Sequence, residues 1–463
     1  MPDIRKFIPP LLGKSLVIGG LIVLLLIPIS HVESLVSERV GMRQEAAARV
    51  AESWGGAQIT AGVLLSIPVE TTRVVVEQTA AGRETQRTEV VRNVLYVLPD
   101  TLNVNADAEP DYRTVGLYRT PVYLARVAIE GEFVNSDFAQ LLQEKQGREV
   151  KWSEARLLVL NSESRALRAV DDLNVAGENP QVSADAYAGL AGISTPVSLT
   201  ALREQAKIPF RLKLTLAGSS RLAFLPLARR ASIAMKSTWA HPKFEGAPAP
   251  LEPAISDDGF STRWSVLEIN RNFGQSWYDA QVRDDLPAQA AFASSSVGVT
   301  FYEPVDVYQR NYRAVHYAAL LIVITFLAFF LWEHMSGSAI HAMQYLMVGL
   351  ALALFYLLLL AFSEHLPFDY AYGISAGALV VLITAYLSGV LGRFSLAIGA
   401  GAGLAALYLM LYWILRSEDY SLLMGALLLF GVLAILMLTT RRVDWSNVAR
   451  RPRVTELPEG PSS

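Results

Sequence analysis

Residues 343–362 read MQYLMVGLALALFYLLLLAF, with no charged side chain among them. About 20 apolar residues in a helix cover the ~30 Å hydrocarbon core of a bilayer. Lipid offers the backbone no hydrogen-bond partner, so such a stretch is read as a helix. Five more segments read the same way: Leu11–Ile29, Ala314–Trp332, Tyr370–Leu391, Phe394–Leu415 and Ser421–Leu438. The expectation is a multi-pass α-helical membrane protein with six transmembrane helices.

The bulk composition agrees. Of 463 residues, 52% are apolar and 18% charged, against about 25% charged in soluble domains; mean hydropathy is +0.31. The charge deficit is confined to the first thirty residues and the last third. Residues 31–313 have the composition of an ordinary soluble protein. The chain therefore divides into 1–30 (flank and first helix), 31–313 (a large domain inserted between the first two helices), 314–440 (five helices) and 441–463 (a basic tail). Net charge is −3, with no basic block outside the membrane flanks, so nucleic acid is not an expected partner. The absence of Cys excludes disulfides, thiolate metal sites and cysteine nucleophiles.

Lys and Arg set the expected orientation. Arg5 and Lys6 precede the first helix, Arg393 lies between the fourth and fifth, and Arg441, Arg442, Arg450, Arg451 and Arg453 follow the sixth. These place both termini inside and residues 31–313 outside. Arg416, beside Glu418 and Asp419, is the exception in an outer loop. The run after the first helix, Pro28-Ile29-Ser30-His31, makes a poor cleavage site, so that helix reads as an uncleaved anchor.

Residues 31–54 continue helically, with Leu35, Val36, Val40, Ala47, Val50 and Trp54 near one face and Gly55-Gly56 as the stop. This is a stalk helix or one docked on the domain. The period then changes to two. Phe210, Leu212, Leu214 and Leu216 alternate with polar residues, as do Tyr123, Ala125, Val127 and Ile129, and also Val297, Val299 and Phe301. Val63–Val69, Thr72–Gln78, Val90–Leu98 and Arg156–Leu160 are further candidate strands. Leu98-Pro99-Asp100, Ala217-Gly218-Ser219 and Asp258-Gly259 are candidate turns. Residues 161–208, rich in Ala and Ser, read as loops with one short helix. Many strands and few helices predict a β-rich, antiparallel sandwich-like or barrel-like domain.

Chemistry is sparse. The six histidines include no HExxH pair, and polar residues at helix ends such as Glu333-His334, His341 and Glu364-His365 are normally there because water begins there. No Asp, Glu, Lys or Arg stands in the middle of any expected helix, which argues against an ion-coupled carrier. Gly373/Gly377 and Gly399/Gly403 have the small-residue spacing of close helix packing, within the bundle or in a homo-oligomer. Trp239-Ala240-His241-Pro242-Lys243-Phe244 reads as a loop folded onto its own core or, alternatively, as an exposed aromatic surface for a partner. No P-loop, nucleophile elbow or dinucleotide fingerprint appears.

Several stretches carry a family resemblance: RAVHYAALLIVITFLAFFLWE and HAMQYLMVGLALALFYLLLLAFSEH in the second and third helices, with SERVGMR, ESWGGAQITAGVLLSIPV, GLYRTPVY, TWAHPKF and EPVDVYQRNYRA in the inserted domain and its ends. The chain resembles the CreD family of inner-membrane, cell envelope integrity proteins along nearly its whole length. It departs from the family pattern at Val63, Ala240 and Ala342, where the family has Pro, and at His316, where it has Lys. The resemblance implies a bacterial inner membrane location, with termini cytoplasmic and residues 31–313 periplasmic. It also implies a part in envelope stress under a two-component sensor and regulator. It implies no catalytic residues, cofactor or metal.

The expected function is therefore non-enzymatic. The periplasmic domain binds an envelope component or a membrane protein partner, and the helices anchor it in the bilayer. The alternative is a membrane-embedded transporter or enzyme acting on a lipid-linked or hydrophobic substrate, through a water-accessible cavity reached from Glu364 and His365. The candidate functional residues are Gln344, Tyr345, Glu364, His365, Trp239 and His241.

Overall fold

The computed structural model describes residues 10–78, 84–136, 148–187, 190–198, 201–202, 205–271, 273–279, 294–301, 303, 307–336, 340–391, 394–417 and 421–441. The chain divides by contacts into two units, Arg43–Pro304, and Met1–Met42 with Val305–Ser463.

The first unit is β-rich. Its strands in chain order are β1 (Gln58–Gln78), β2 (Glu84–Val97), β3 (Thr101–Val115), β4 (Tyr118–Val134), β5 (Arg148–Val150), β6 (Arg156–Asn161), β7 (Leu167–Val175), β8 (Ser183–Tyr187) and β9 (Leu190–Pro196). Then come β10 (Lys207–Ser219), β11 (Arg221–Phe224), β12 (Arg230–Ser237), β13 (Pro242–Glu245), β14 (Ala254–Ser256), β15 (Gly259–Leu267), β16 (Ser276–Tyr278) and β17 (Val297–Phe301). A seven-stranded sheet runs β14-β15-β12-β3-β4-β10-β7. A ten-stranded sheet runs β13-β17-β11-β1-β6-β9-β8, with β2 and β5 also on β1, and β16 on β2. Pairing is antiparallel except for β1 with β11 and β3 with β12. Side chains of both sheets share one core, among them Leu65, Val104, Ile129, Leu212, Ile233 and Trp264. The alternation of strands such as Phe210–Leu216 thus points one face inward, as period two requires.

β1 was expected as two strands and is one. Its residues Val63, Leu65, Ile67 and Val69 enter the sandwich core. Leu64 faces a second apolar cluster with Leu158, Tyr96 and Trp277. Burial on both faces accounts for the nearly continuous apolar run VLLSIPV. Pro68 interrupts nothing because its carbonyl, which accepts Lys151 N–H at 2.9 Å, points to the side where β1 changes partner from β6 to β5. Its missing N–H faces that same gap.

Two further readings are corrected. Residues 161–208 hold three strands, β7, β8 and β9, rather than loops. β7 and β8 are sheet edges with few buried side chains, so they need little apolar sequence. Ala217-Gly218-Ser219 ends β10 instead of turning; the turn comes at Ser220, with φ +59°.

The helices are α1 (Pro10–Trp54), α2 (Val307–His316), α3 (Ala318–Ser336), α4 (Ala342–Ser363), α5 (Phe368–Leu391), α6 (Phe394–Arg416) and α7 (Ser421–Thr440). α1 runs unbroken from the first apolar segment to Trp54, as the periodicity predicts. It stops at Gly55, whose φ of +113° and approach to the Ala217 carbonyl leave no room for a side chain. Arg165 and Arg168 donate to the carbonyls of Glu52, Ser53 and Trp54, satisfying its last acceptors. The arginines suit the negative end of the helix dipole.

In the helical unit, α1, α4, α5 and α6 are long and apolar enough to cross a membrane. The span expected over Ala314–Trp332 falls across two helices, α2 and α3, which meet at a 41° bend. A tighter turn from Tyr317 N–H to Ala314 carbonyl marks the bend. α7 adds a shorter apolar helix, Leu423–Ile435. Residues 31–42 and 307–313 group with the helices because Val32, Val36 and Tyr308 pack in their core. Gly349 lets Leu25 of α1 and Phe326 of α3 close on α4; a Cβ there would strike both. The charges Arg5, Lys6, Arg393, Glu418, Asp419, Arg442, Arg450, Arg451 and Arg453 lie outside the described residues.

Candidate functional site

The residues singled out in the sequence fall in three places. Gln344 and Tyr345 begin α4. Gln344 Oε1 accepts the His341 N–H at 3.0 Å, and His341 Nδ1 accepts the Met343 N–H, a reciprocal cap of the helix start. Tyr345 is fully buried and donates to Glu333 at 3.1 Å. Glu333 pairs with Lys14, whose ammonium also donates to the Ile340 carbonyl at 2.9 Å. This polar cluster ties α1, α3 and α4 together at one end.

Glu364 and His365 lie at the other end of α4. Glu364 pairs with Arg39 of α1 at 3.0 Å, and His365 is exposed. Nearby, Asn311 donates to Ser363 Oγ at 2.8 Å, and Arg313 caps α6 through the carbonyls of Ile414 and Ser417. A cavity of about 710 Å³ in this unit is lined by neither Glu364 nor His365.

Trp239 is buried at 8% exposure, and its Nε1 donates to the His241 carbonyl at 3.1 Å. Its ring meets Phe301 edge-on at 6.1 Å, and Phe244 meets Phe260 and Trp264. The Trp239–Phe244 turn is therefore folded onto the sandwich core, with exposed His241 at its tip.

A groove that the sequence did not reveal lies on the outer face of the ten-stranded sheet. Here the sheet curls until Tyr187 of β8 meets Tyr96 of β2, ring centroids 4.1 Å apart. Trp277 of β16 stacks on Tyr96 at 6.1 Å and donates its Nε1 to Tyr187 OH at 3.1 Å. The curl is closed by aromatic contact instead of ladder hydrogen bonds. It encloses about 370 Å³.

Around the aromatic floor stand charges of both signs. Arg92 pairs with Glu154, Arg156 donates to Ser194 Oγ at 2.9 Å, and Asp185 lines the same wall. Ser66 Oγ donates to the Arg156 carbonyl at 3.2 Å. Among the described residues that line this groove are two aromatic rings, two arginines and two carboxylates, and no His. Its walls fit a polar ligand with apolar faces and charged or hydroxyl groups. Tyr187 falls in the segment read as loop, so no periodic signal could have joined it to Tyr96.

Among the described residues, no cluster of three His, Asp or Glu can hold one metal ion.

Comparison with known proteins completes the picture. Residues 10–446 match the family described as "Inner membrane protein CreD". The Inner membrane protein CreD of Escherichia coli (strain K12) is 30% identical over 439 residues, covering 94% of each chain. The apolar helices and the extent of this match together establish that the chain is an inner membrane protein belonging to the CreD family.

Proposed function

We propose that the protein contributes to cell envelope integrity or the envelope stress response by binding an envelope component or partner protein through its β-rich unit. In this reading six helices anchor the chain, both termini are cytoplasmic, and residues 31–313 are periplasmic. The single observation that carries it is the groove under the curled sheet, where Tyr96 and Tyr187 lie among Arg92, Arg156, Glu154 and Asp185. Aromatic faces beside half-exposed charges of both signs are a composition suited to recognising a ligand or partner.

Two variants test the reading. Deleting residues 60–300 while keeping the helices should abolish the protein's effect on sensitivity to envelope-directed agents. Exchanging the exposed pair, Arg92→Glu with Glu154→Ala, should impair that effect with little loss of stability. A phenotype untouched by the deletion would show that the β-rich unit is not the working part. Protease added to spheroplasts should cleave within residues 31–313 and leave the tail after Arg441 intact.

The alternative, a membrane-embedded transporter or enzyme working through Glu364 and His365, has less support. Glu364 is engaged by Arg39. Replacing both Glu364 and His365 with Ala should leave the phenotype in place; its loss at normal protein level would favour that alternative.

A further inference from the structure

A cavity of about 710 Å³ lies within the helical unit, walled by α3, α5, α6 and α7. Its lining on α6 runs from Ser395 to Met410. At 1.5 Å per residue this is roughly 22 Å of helix, most of a ~30 Å hydrocarbon core. The walls are hydrocarbon, as Phe329, Leu387, Leu407 and Val432 illustrate. Of the hydroxyl-bearing side chains that line it, Thr325 donates its own to the Leu321 carbonyl at 2.8 Å.

Gly399 and Gly403 face this space. A Cβ on either would meet nothing within 4 Å, whereas Gly401 on the same helix is closed off by Thr384. The pair that the sequence offers for close helix packing thus does the reverse within this unit and widens a void. Gly373 and Gly377 also face open space. The cavity is half open and its lining is almost wholly apolar, so its open side offers little to hold water. Inside a bilayer the available filler is hydrocarbon. Trp332 and Ile340 stand at one end of the cavity, and the Ile340 carbonyl takes the Lys14 ammonium. Trp and Lys favour headgroup depth.

We infer that this cavity is a binding site for an acyl chain of a bilayer lipid, with the headgroup at the Trp332–Lys14 end. The long, narrow, uncharged space fits an extended chain and offers nothing to hold a compact polar solute. The inference goes beyond the groove on the β-rich unit and does not depend on it.

The test uses the full chain in nanodiscs of phosphatidylcholine bearing a diazirine on one acyl chain. After irradiation, labelled peptides should map to residues 395–410 and 324–332. The double variant G399L/G403L should cut labelling there at least fivefold. The V381L control, on the exposed side of α5, should leave it unchanged. Thermal unfolding in detergent checks the fold, and filling a void predicts an equal or higher midpoint. If the double variant misfolds, G399A and G403A should each lower labelling in a graded way. Labelling confined to exposed positions such as Val381 or Phe430, unaltered labelling in a folded filled variant, or crosslinks through 399–410 to a second copy in place of lipid would each overturn the proposal.

Discussion

Gln58 in the β-rich unit and Tyr345 in the helical unit are both polar and both fully buried, yet they are satisfied differently. Gln58 sits inside a chain of bonds. Its amide donates to Tyr123 OH and to the Ala217 carbonyl and accepts from Asn161, while Tyr123 OH donates to the Arg221 carbonyl. Burial pushes the Tyr123 phenol above its ordinary range, so it stays a neutral donor. Tyr345 instead stands at a helix end and reaches a charged pair, Glu333 and Lys14.

Apolar groups differ in the same sense. The β-rich unit hides Val63 and Leu65, whereas the helical unit leaves Phe430 70% and Val381 68% exposed. Water expels apolar surface and tolerates buried polar groups once they are chained. Lipid does not expel apolar surface, so helices there are joined by shape and by polar contacts near their ends.

The largest expected effect is in the water-built core. Trp264→Ala removes a fully buried indole and should cost about 3–5 kcal/mol, read by chemical denaturation of the β-rich unit. A loss below ~1 kcal/mol would mean that the two sheets are not packed as one core.

At the helix ends, Glu333→Ala strands Lys14 and Tyr345 and should cost about 2–3 kcal/mol in detergent. This is less than for a fully buried pair, because Lys14 is 30% exposed. The double variant Lys14→Ala, Glu333→Ala should recover part of the loss; strict additivity would break the proposed pairing.

Tyr123→Phe should cost about 1–2 kcal/mol by unlinking Gln58 from Arg221.

Glu245 offers a pH readout. Burial alone would raise its carboxyl, but hydrogen bonds from Thr300 and Arg221, with the Arg221 charge, hold it below the ordinary value. A depressed carboxyl stabilises the fold above its unfolded pKa of about 4.3, and that gain is lost as pH falls through the lower folded value. Glu245→Gln should therefore cost about 1 kcal/mol at pH 7 and progressively less in acid. A penalty independent of pH would assign the residue a packing role only.

Phe430→Leu, on the exposed side of α7, should change stability by less than about 0.5 kcal/mol. A larger loss would point to a protein neighbour over that face.

Much of this architecture was legible because burial leaves periodic traces. The helix bounds Ala342–Ser363 lie one residue outside the hydropathy reading at each end, and Phe394–Arg416 differs from it by one residue at its C-terminal end alone. Strands such as Lys207–Ser219 show the period of two. Edge strands β7 and β8 leave no such trace, since pairing of the backbone, not burial of side chains, places them. The candidate residues fared unevenly for the same reason. Tyr345 and Glu364 could be picked out as polar groups beside apolar runs, but nothing local tells that Lys14 and Arg39 are their partners. The groove could not be read at all, because Tyr96, Tyr187 and Trp277 are far apart in the chain.

By itself, then, the sequence determined which segments form apolar helices and which strands carry a buried face, because solvent acts on each residue separately. The tertiary structure decided what depends on two distant segments meeting: the curl of the ten-stranded sheet, the polar ties at the helix ends, and whether Gly399 and Gly403 close a contact or open a cavity. A glycine's missing side chain permits either outcome, and the neighbouring helices select one.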